Sequence, residues 1–424
     1  MSVVRTIWVK GLWHQGLVAA GVWSSRGFRV IGICDSLEEV IALKKSQLPI
    51  YEPGLEELIT RQIENGNLDF SMLNSREPLP DVISFMHDTE VNDDDEVQLE
   101  QFFQDVKKLS DYISPKVEVL ITSQVPAGTC REVQEILFKS LGFEPHVSYM
   151  PENLRLGQAI ARFESPELPV IGISHMESKV TLEQLFKEDI QFKYCLLLEA
   201  ELLKSALNSL LALSITFGNE ISEICDQFEV SGSEVMSLLK LEPRVGKSLP
   251  LLPGLPFSGG TLGRDVQNLR KLSSRKSSLV DAIWQSNFDR KEYFINVVAK
   301  IAKSSGEDSI GLLGLTYKTG TSTLRRSFPL QCGQSLTKMG FRVYGFDPMA
   351  KSFDEEINAR VHLCDSIEEI FEHCNILVIT TPWEEMIRGF SIDLVKNKTI
   401  IDPYGVLSKE LVQACTYKRF GGRM

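Results

Sequence analysis

Apolar residues recur in short runs that alternate with longer segments whose apolar positions fall three and four apart, the pattern of β-strands alternating with amphipathic helices. The opening stretch RTIWVKGLWHQGLVAAGVWSSRGFRVIGICD predicts a strand, a glycine-bearing turn, a helix ending at Gly27 and a second strand stopping at Asp35. Further strands are expected at Val82–His87, Val117–Ile121, His146–Met150 and Val170–Ile173, with helices over Gln98–Ser110 and Thr129–Leu141. Such alternation implies a mostly parallel sheet. From Ser309 the opening pattern returns, and GFRVYGFD at 340–347 nearly repeats GFRVIGICD at 27–35. This internal similarity predicts a second doubly wound unit with its own strand-end acid, Asp347, completed by strands at Ile376–Ile379 and Thr399–Ile401.

Between the two halves lies the longest helical signal, Cys195 to Phe228. Its apolar positions spread too widely round a helix to leave one wet face, so burial is expected. Glu199, Glu201, Lys204 and Asn208 interrupt the run and argue against a membrane span. Lys204 and Asn208, four apart, share a face, and on periodicity alone they form a polar seam toward solvent or a partner helix. Downstream, KSLPLLPGLPFSGGTLGRD carries prolines at 250, 253 and 256 and glycines at 254, 259, 260 and 263, which forbid regular structure. An apolar loop of this length that ends on Arg264 and Asp265 is either active-site lining or a packed connection to a helix over Val266–Leu279. The fold class is therefore α/β: two Rossmann-like doubly wound domains joined by a central helical region with a long buried helix. The expected divisions are 1–194, 195–300 and 301–424.

Charge narrows the partners. The chain has 57 acidic and 45 basic residues, which disfavours nucleic acid. The N-terminus has no apolar core behind a charged start, so no signal peptide is expected. The eight cysteines are scattered without a CxxC pair, which reads as reduced, mostly buried thiols in a cytoplasmic protein, with no metal site. The acidic run Asp88–Glu96 lacks the spacing of a calcium loop and reads as a solvated turn.

The first turn carries candidate chemistry. Gly11 and Gly16 occupy the first and third glycine positions of G-x-G-x-x-G, and Asp35 follows where a ribose-binding acid belongs. The middle glycine is replaced by Trp13, whose indole falls in the path of a pyrophosphate. A βαβ unit that binds nothing is the alternative.

Beside these residues, PIYEPGLEEL at 49–58, VPAGT at 125–129, PENLRLG at 151–157, EPRVG at 242–246 and SGGTLGRD at 258–265 are similar, in order, to the marker stretches of the UDP-glucose/GDP-mannose dehydrogenase family. The resemblance covers nearly the whole chain. It implies an N-terminal NAD-binding domain, a central helical dimerisation region and a C-terminal domain for the nucleotide diphosphate. It also implies oxidation of a sugar primary alcohol to a carboxylate in two steps, each giving a hydride to NAD. A UDP-sugar is expected ahead of a GDP-sugar, with a homodimer and no membrane partner.

Carried over by position, Lys204 and Asn208 match residues that hold the sugar and the developing oxyanion, Asp265 an aspartate that works with that lysine, and Glu152 a base of the hydrolytic step. Arg244 matches an arginine that can reach a neighbouring subunit's sugar, and Gly259 and Gly260 line the substrate. Thr89, Lys318 and Arg325 join Gly11, Trp13, Gly16 and Asp35 as cofactor-binding positions.

The departures bear on mechanism. The family's nucleophilic cysteine follows the paired glycines, but here Thr261 and Leu262 do, and no cysteine lies between 225 and 332. Gln124, Leu156, Leu168 and Tyr404 also replace expected polar or charged residues. The expectation is an NAD-dependent homologue limited to two-electron alcohol–carbonyl hydride transfer. The alternative is a nucleotide-sugar-binding scaffold that has lost turnover.

Overall fold

The computed structural model describes residues 3–73, 78–89, 91–92, 96–151, 154–272, 279–350 and 360–419. The chain divides into two compact units, Met1–Ala206 and Leu207–Met424, and each contains one sheet.

The first unit holds eight strands, β1 (Thr6–Lys10), β2 (Arg29–Cys34), β3 (Leu68–Met72), β4 (Val82–Phe85), β5 (Glu118–Ile121), β6 (His146–Tyr149), β7 (Val170–Ile173) and β8 (Lys193–Leu196). Their order is β3-β2-β1-β4-β5-β6-β7-β8, parallel except between β6 and β7. Ile7 lies opposite both Val30 and Val82, so β1 is an interior strand between β2 and β4. Alternate residues of β1 enter different cores: Ile7 and Val9 join Leu17, Trp23 and Phe70, while Trp8 joins Ile83, Phe85 and Phe102. Cover on both faces explains why the strands read as continuous apolar runs.

The second unit holds β9 (Ser309–Leu313), β10 (Arg342–Phe346), β11 (His362–Leu363), β12 (Ile376–Ile379), β13 (Thr399–Ile401) and β14 (Thr416–Lys418). The sheet is all parallel in the order β11-β10-β9-β12-β13-β14, the doubly wound order 3-2-1-4-5-6. In both units the order reverses beside the first strand, and the crevice at the carboxyl ends of the strands there is the natural ligand position.

The long helix runs Leu197–Gln227, and the division between units falls within it. Its burial differs from the expectation of cover all round. Lys204, Ser205, Asn208, Ser209, Thr216, Asn219 and Ser222 are buried, whereas Leu210, Phe217 and Ile224 are about half exposed. Small and polar residues face inward and a row of large apolar ones faces out. Periodicity recorded that apolar residues lie on every side; it carried no information on which side one chain covers by itself.

The expected helix at Val266–Leu279 is instead two. One covers Leu262–Leu272, and a second, Leu279–Ser304, begins where the first was expected to end. The proline- and glycine-rich loop between the long helix and these two is strapped by side chains. Asn219 Oδ1 accepts from Gly254 N at 2.9 Å, Asn287 Oδ1 from Phe257 N at 2.8 Å, and Arg290 donates to Gly254 O at 3.0 Å. The loop carries buried backbone polar groups and no ladder, so helix side chains supply the partners.

Candidate active site

In the first unit the turn after β1 is set by two glycines. Gly11 has φ +94°, and a Cβ there would lie 2.6 Å from the His87 amide nitrogen, so only glycine lets this turn cross the end of β4. Gly16 packs on the Gly11 carbonyl with no room for a Cβ. Trp13 stands between them with φ −98°, a value that needs no glycine, and its side chain is turned partly outward, 44% exposed. The helix His14–Ser25 begins next, its N-terminus uncapped by any side chain, as a pyrophosphate-binding helix requires. Asp35 follows β2 with its side chain 62% exposed.

Three contacts here escaped the motif reading. Lys10, the last residue of β1, is buried and places Nζ 2.5 Å from Asp35 Oδ1 and 3.8 Å from Asp105 Oδ2. Burial would raise the Asp105 pKa, but a hydrogen bond with His87 and the charge of Lys10 outweigh it and hold the carboxyl down at about 2. His14 Nε2 lies 2.9 Å from Glu52 Oε2, and the buried Glu52 also accepts from Gly157 N at 2.9 Å and Ala159 N at 2.8 Å. Glu52 therefore ties the cofactor turn to the PENLRLG segment. A small recess opens beside that tie, lined in part by Gln15, Met150, Pro151, Leu154 and Arg162. The one visible signal for Lys10 was a charge within the apolar strand TIWVK.

Thr89 is buried, and its hydroxyl donates to the Gln124 carbonyl at 2.6 Å, so that donor serves the loop. Glu152 lies outside the described residues.

In the second unit, Asn208 Nδ2 donates to Asp265 Oδ2 in a short hydrogen bond, with both residues buried. Lys204, buried one turn earlier on the same helix, shares the face of Asn208. The Thr261 carbonyl accepts from Asp265 N at 3.1 Å, which places Asp265 in the first turn of Leu262–Leu272. Gly259 has φ +83°, donates to the Arg326 carbonyl at 3.0 Å, and leaves no room for a Cβ against the Tyr317 ring. The glycine turn is thus pressed on the segment after β9 that carries Lys318 and Arg325, both exposed. Arg244 stands apart from this cluster: its side chain is 87% exposed and pairs with Glu242 at 2.8 Å.

Asp347 directly follows β10 as the expected strand-end acid, but its surroundings differ from those of Asp35. It is buried, and Oδ2 accepts from Leu315 N (2.7 Å), Thr316 N and Oγ1 (2.9 Å each) and Trp383 Nε1 (3.1 Å). Its other oxygen accepts from Met349 N and Ala350 N. The carboxylate is consumed by its own loops and offers nothing to a ribose.

With this geometry in hand, three family models cover the chain. The UDP-glucose/GDP-mannose dehydrogenase NAD binding domain matches residues 5–190, the central domain 198–289 and the UDP binding domain 311–409. A UDP-glucose 6-dehydrogenase from Rickettsia conorii is 30% identical over 433 residues, spanning 97% of both chains. The chain belongs to the UDP-glucose/GDP-mannose dehydrogenase family. A UDP-glucose dehydrogenase from Pyrobaculum islandicum superposes with a TM-score of 0.87 at 26% identity, covering 99% of this chain and 98% of that one. A UDP-D-ManNAc dehydrogenase from Pyrococcus horikoshii gives the same TM-score at 21% identity, covering 98% and 99%, a likeness of fold. The first unit of this family member accordingly carries an NAD-binding domain, and the second a UDP-binding domain. Among the described residues no helix is long and apolar enough to cross a membrane, and no cluster of His, Cys, Asp and Glu is suited to a metal ion.

Proposed function

We propose that the protein oxidises the primary alcohol of a UDP-sugar to the carbonyl with NAD and stops there. The buried Asn208–Asp265 hydrogen bond, with Lys204 one turn away, carries this reading. NAD supplies the hydride acceptor; Gly11, Gly16, the N-terminus of His14–Ser25 and Asp35 are the residues that would hold it. As the carbon gives up hydride the hydroxyl must lose its proton, for which Asp265 is the acceptor. The Lys204 ammonium and the Asn208 amide oppose the alkoxide charge that develops. Thr89, Lys318 and Arg325 complete the cofactor surroundings, Gly259 and Gly260 the sugar's.

A further two electrons, giving a carboxylate, need a covalent thiol adduct on the family's usual route. Thr261 stands at that position, and burial pushes the thiols of Cys34, Cys332, Cys364 and Cys374 up to about 12, far from thiolate at neutral pH. The test is the stoichiometry of purified protein with NAD and UDP-glucose or related UDP-sugars. One NADH per sugar with a trappable aldehyde is expected. Two NADH and a uronate would overturn the two-electron limit.

One observation favours a second reading, a scaffold that has lost turnover: Trp13 stands in the pyrophosphate turn while Lys10 holds one oxygen of Asp35. Calorimetry with NADH separates the two. Micromolar binding by the wild-type protein eliminates the scaffold; binding only after Trp13→Gly supports it.

The segment 195–300 is proposed as the dimerisation region, with 1–194 and 301–424 on either side. Leu210, Phe217 and Ile224 recur every seven residues on one exposed face, and Leu238 and Leu241 further along the segment are exposed as well. Charged substitution of Phe217 is expected to yield monomers in sedimentation; an unchanged mass would exclude this face. Arg244, exposed in the same region, is the residue proposed to reach the partner's sugar.

A further inference from the structure

Arg264 and Asp265 are adjacent in the first turn of the Leu262–Leu272 helix, with side chains only 4% and 5% exposed. Among the described residues, the Arg264 guanidinium has its Nε and Nη2 buried without any hydrogen-bond acceptor. These two atoms form one edge of the guanidinium, the planar fork whose spacing matches a carboxylate. A buried cation with that edge empty is rare, because the lost hydration is returned by nothing.

Among the described residues, the acid within 4 Å of the fork is Asp265, its Oδ1 3.7 Å from Arg264 Nε, just beyond hydrogen-bond reach. Asp265 instead spends Oδ2 on the Asn208 amide. The carboxylate therefore has two seats. In the present one it holds Asn208 and leaves the fork empty; a small rotation would close it on the fork and release the amide.

We propose, on the substrate reading above, that Arg264 is the positioning residue that receives Asp265 when the sugar alcohol takes over the Asn208 amide. Without the fork, a ligand oxygen claiming that amide would strand a buried carboxylate with no partner. With it, the arriving alcohol exchanges one empty edge for one filled edge, and the Asn208 amide turns to the reacting oxygen at little cost. Asp265 stays beside that oxygen, placed to accept its proton. The role is exerted on the sugar alcohol and not on the nucleotide, which distinguishes it from general support of the fold.

Calorimetry on the full-length protein with UDP and with UDP-glucose tests this in the wild type, Arg264→Met and Arg264→Lys, each checked for native unfolding by circular dichroism. The wild type is expected to bind UDP-glucose more tightly than UDP. In Arg264→Met that advantage falls about tenfold while the UDP affinity holds within about twofold. Arg264→Lys keeps the charge without the fork and falls between them; should the methionine variant not fold, the lysine variant alone decides, by losing part of the advantage or none. An undiminished advantage in the folded variants overturns the role of Arg264 and leaves the substrate reading standing. Wild-type protein that binds UDP with no added affinity for UDP-glucose overturns the role while nucleotide binding survives. Wild-type protein that binds neither overturns both.

Discussion

The two units start from nearly the same words, GFRVIGICD and GFRVYGFD, and put their strand-end acids to opposite uses. Asp35 stands largely exposed with one oxygen on Lys10, whereas Asp347 is buried among six donors from three loops. The lesson is that a strand-turn-helix pattern delivers an acid to the carboxyl end of a sheet, and the neighbouring loops then decide whether it meets solvent. The helix after Asp35 starts with Ser36 accepting from Glu39 N and Glu39 from Asp35 N, and the second unit repeats this device with Ser366 and Glu369, but after β11 and not after Asp347. The strand segments are nearly alike, and long-range contacts separate an exposed acid from a structural one.

Removing the structural acid should do the most harm. Asp347→Ala leaves its donors unsatisfied and is expected to cost about 3–5 kcal/mol in urea unfolding; a loss under about 1 kcal/mol would show the network to be dispensable. Lys10→Met comes next, since it removes the partner of Asp35 and one of two cations beside the buried Asp105, leaving Lys108 at 3.3 Å, at a cost of roughly 1–2 kcal/mol. Equal stability would demote that ion pair to an incidental contact.

A third buried acid sharpens the contrast. Glu118 in β5 has the Ser148 hydroxyl as a short hydrogen-bond donor, and burial raises its carboxyl from 4.5 to about 7 despite that bond. The folded state thus holds this proton more tightly than the unfolded chain, so the group's contribution is complete below pH 4.5 and is lost as the pH climbs to about 7. Glu118→Gln is expected to match the wild type near pH 4 and to exceed it at pH 8 by on the order of 2 kcal/mol. Parallel stability curves across that interval would refute this. The smallest change in folding is expected from Asp35→Asn, within about 1 kcal/mol, while NADH affinity falls about tenfold with the loss of a charged acceptor. Unaltered NADH binding would remove Asp35 from the cofactor site.

Strand positions, the internal repeat and the glycine turn were legible because periodicity and φ requirements are local. Val170–Ile173, Ile376–Ile379 and Thr399–Ile401 match the expected strands residue for residue. The resemblance joined Asp265 to Lys204, whereas its hydrogen bond is with Asn208, a pairing that nothing local announces across 57 residues. Lys10 and Arg264 were invisible as a pair of problems: each is an ordinary basic residue until its burial and its partners are known. Asp347 was legible as a strand-end acid, while its burial was not, because its donors Leu315, Thr316 and Trp383 come from segments distant in sequence.

The strapped loop has a consequence of its own. Gly254 and Phe257 belong to no helix or strand, yet their amides are bound by Asn219 and Asn287, residues of the helices Leu197–Gln227 and Leu279–Ser304. Deuterium should therefore reach these two loop amides at the slow rate of the helix interiors, because they open only when that packing opens. A stretch with the composition of a flexible linker thus belongs to the same cooperative folding unit as the helices that clasp it.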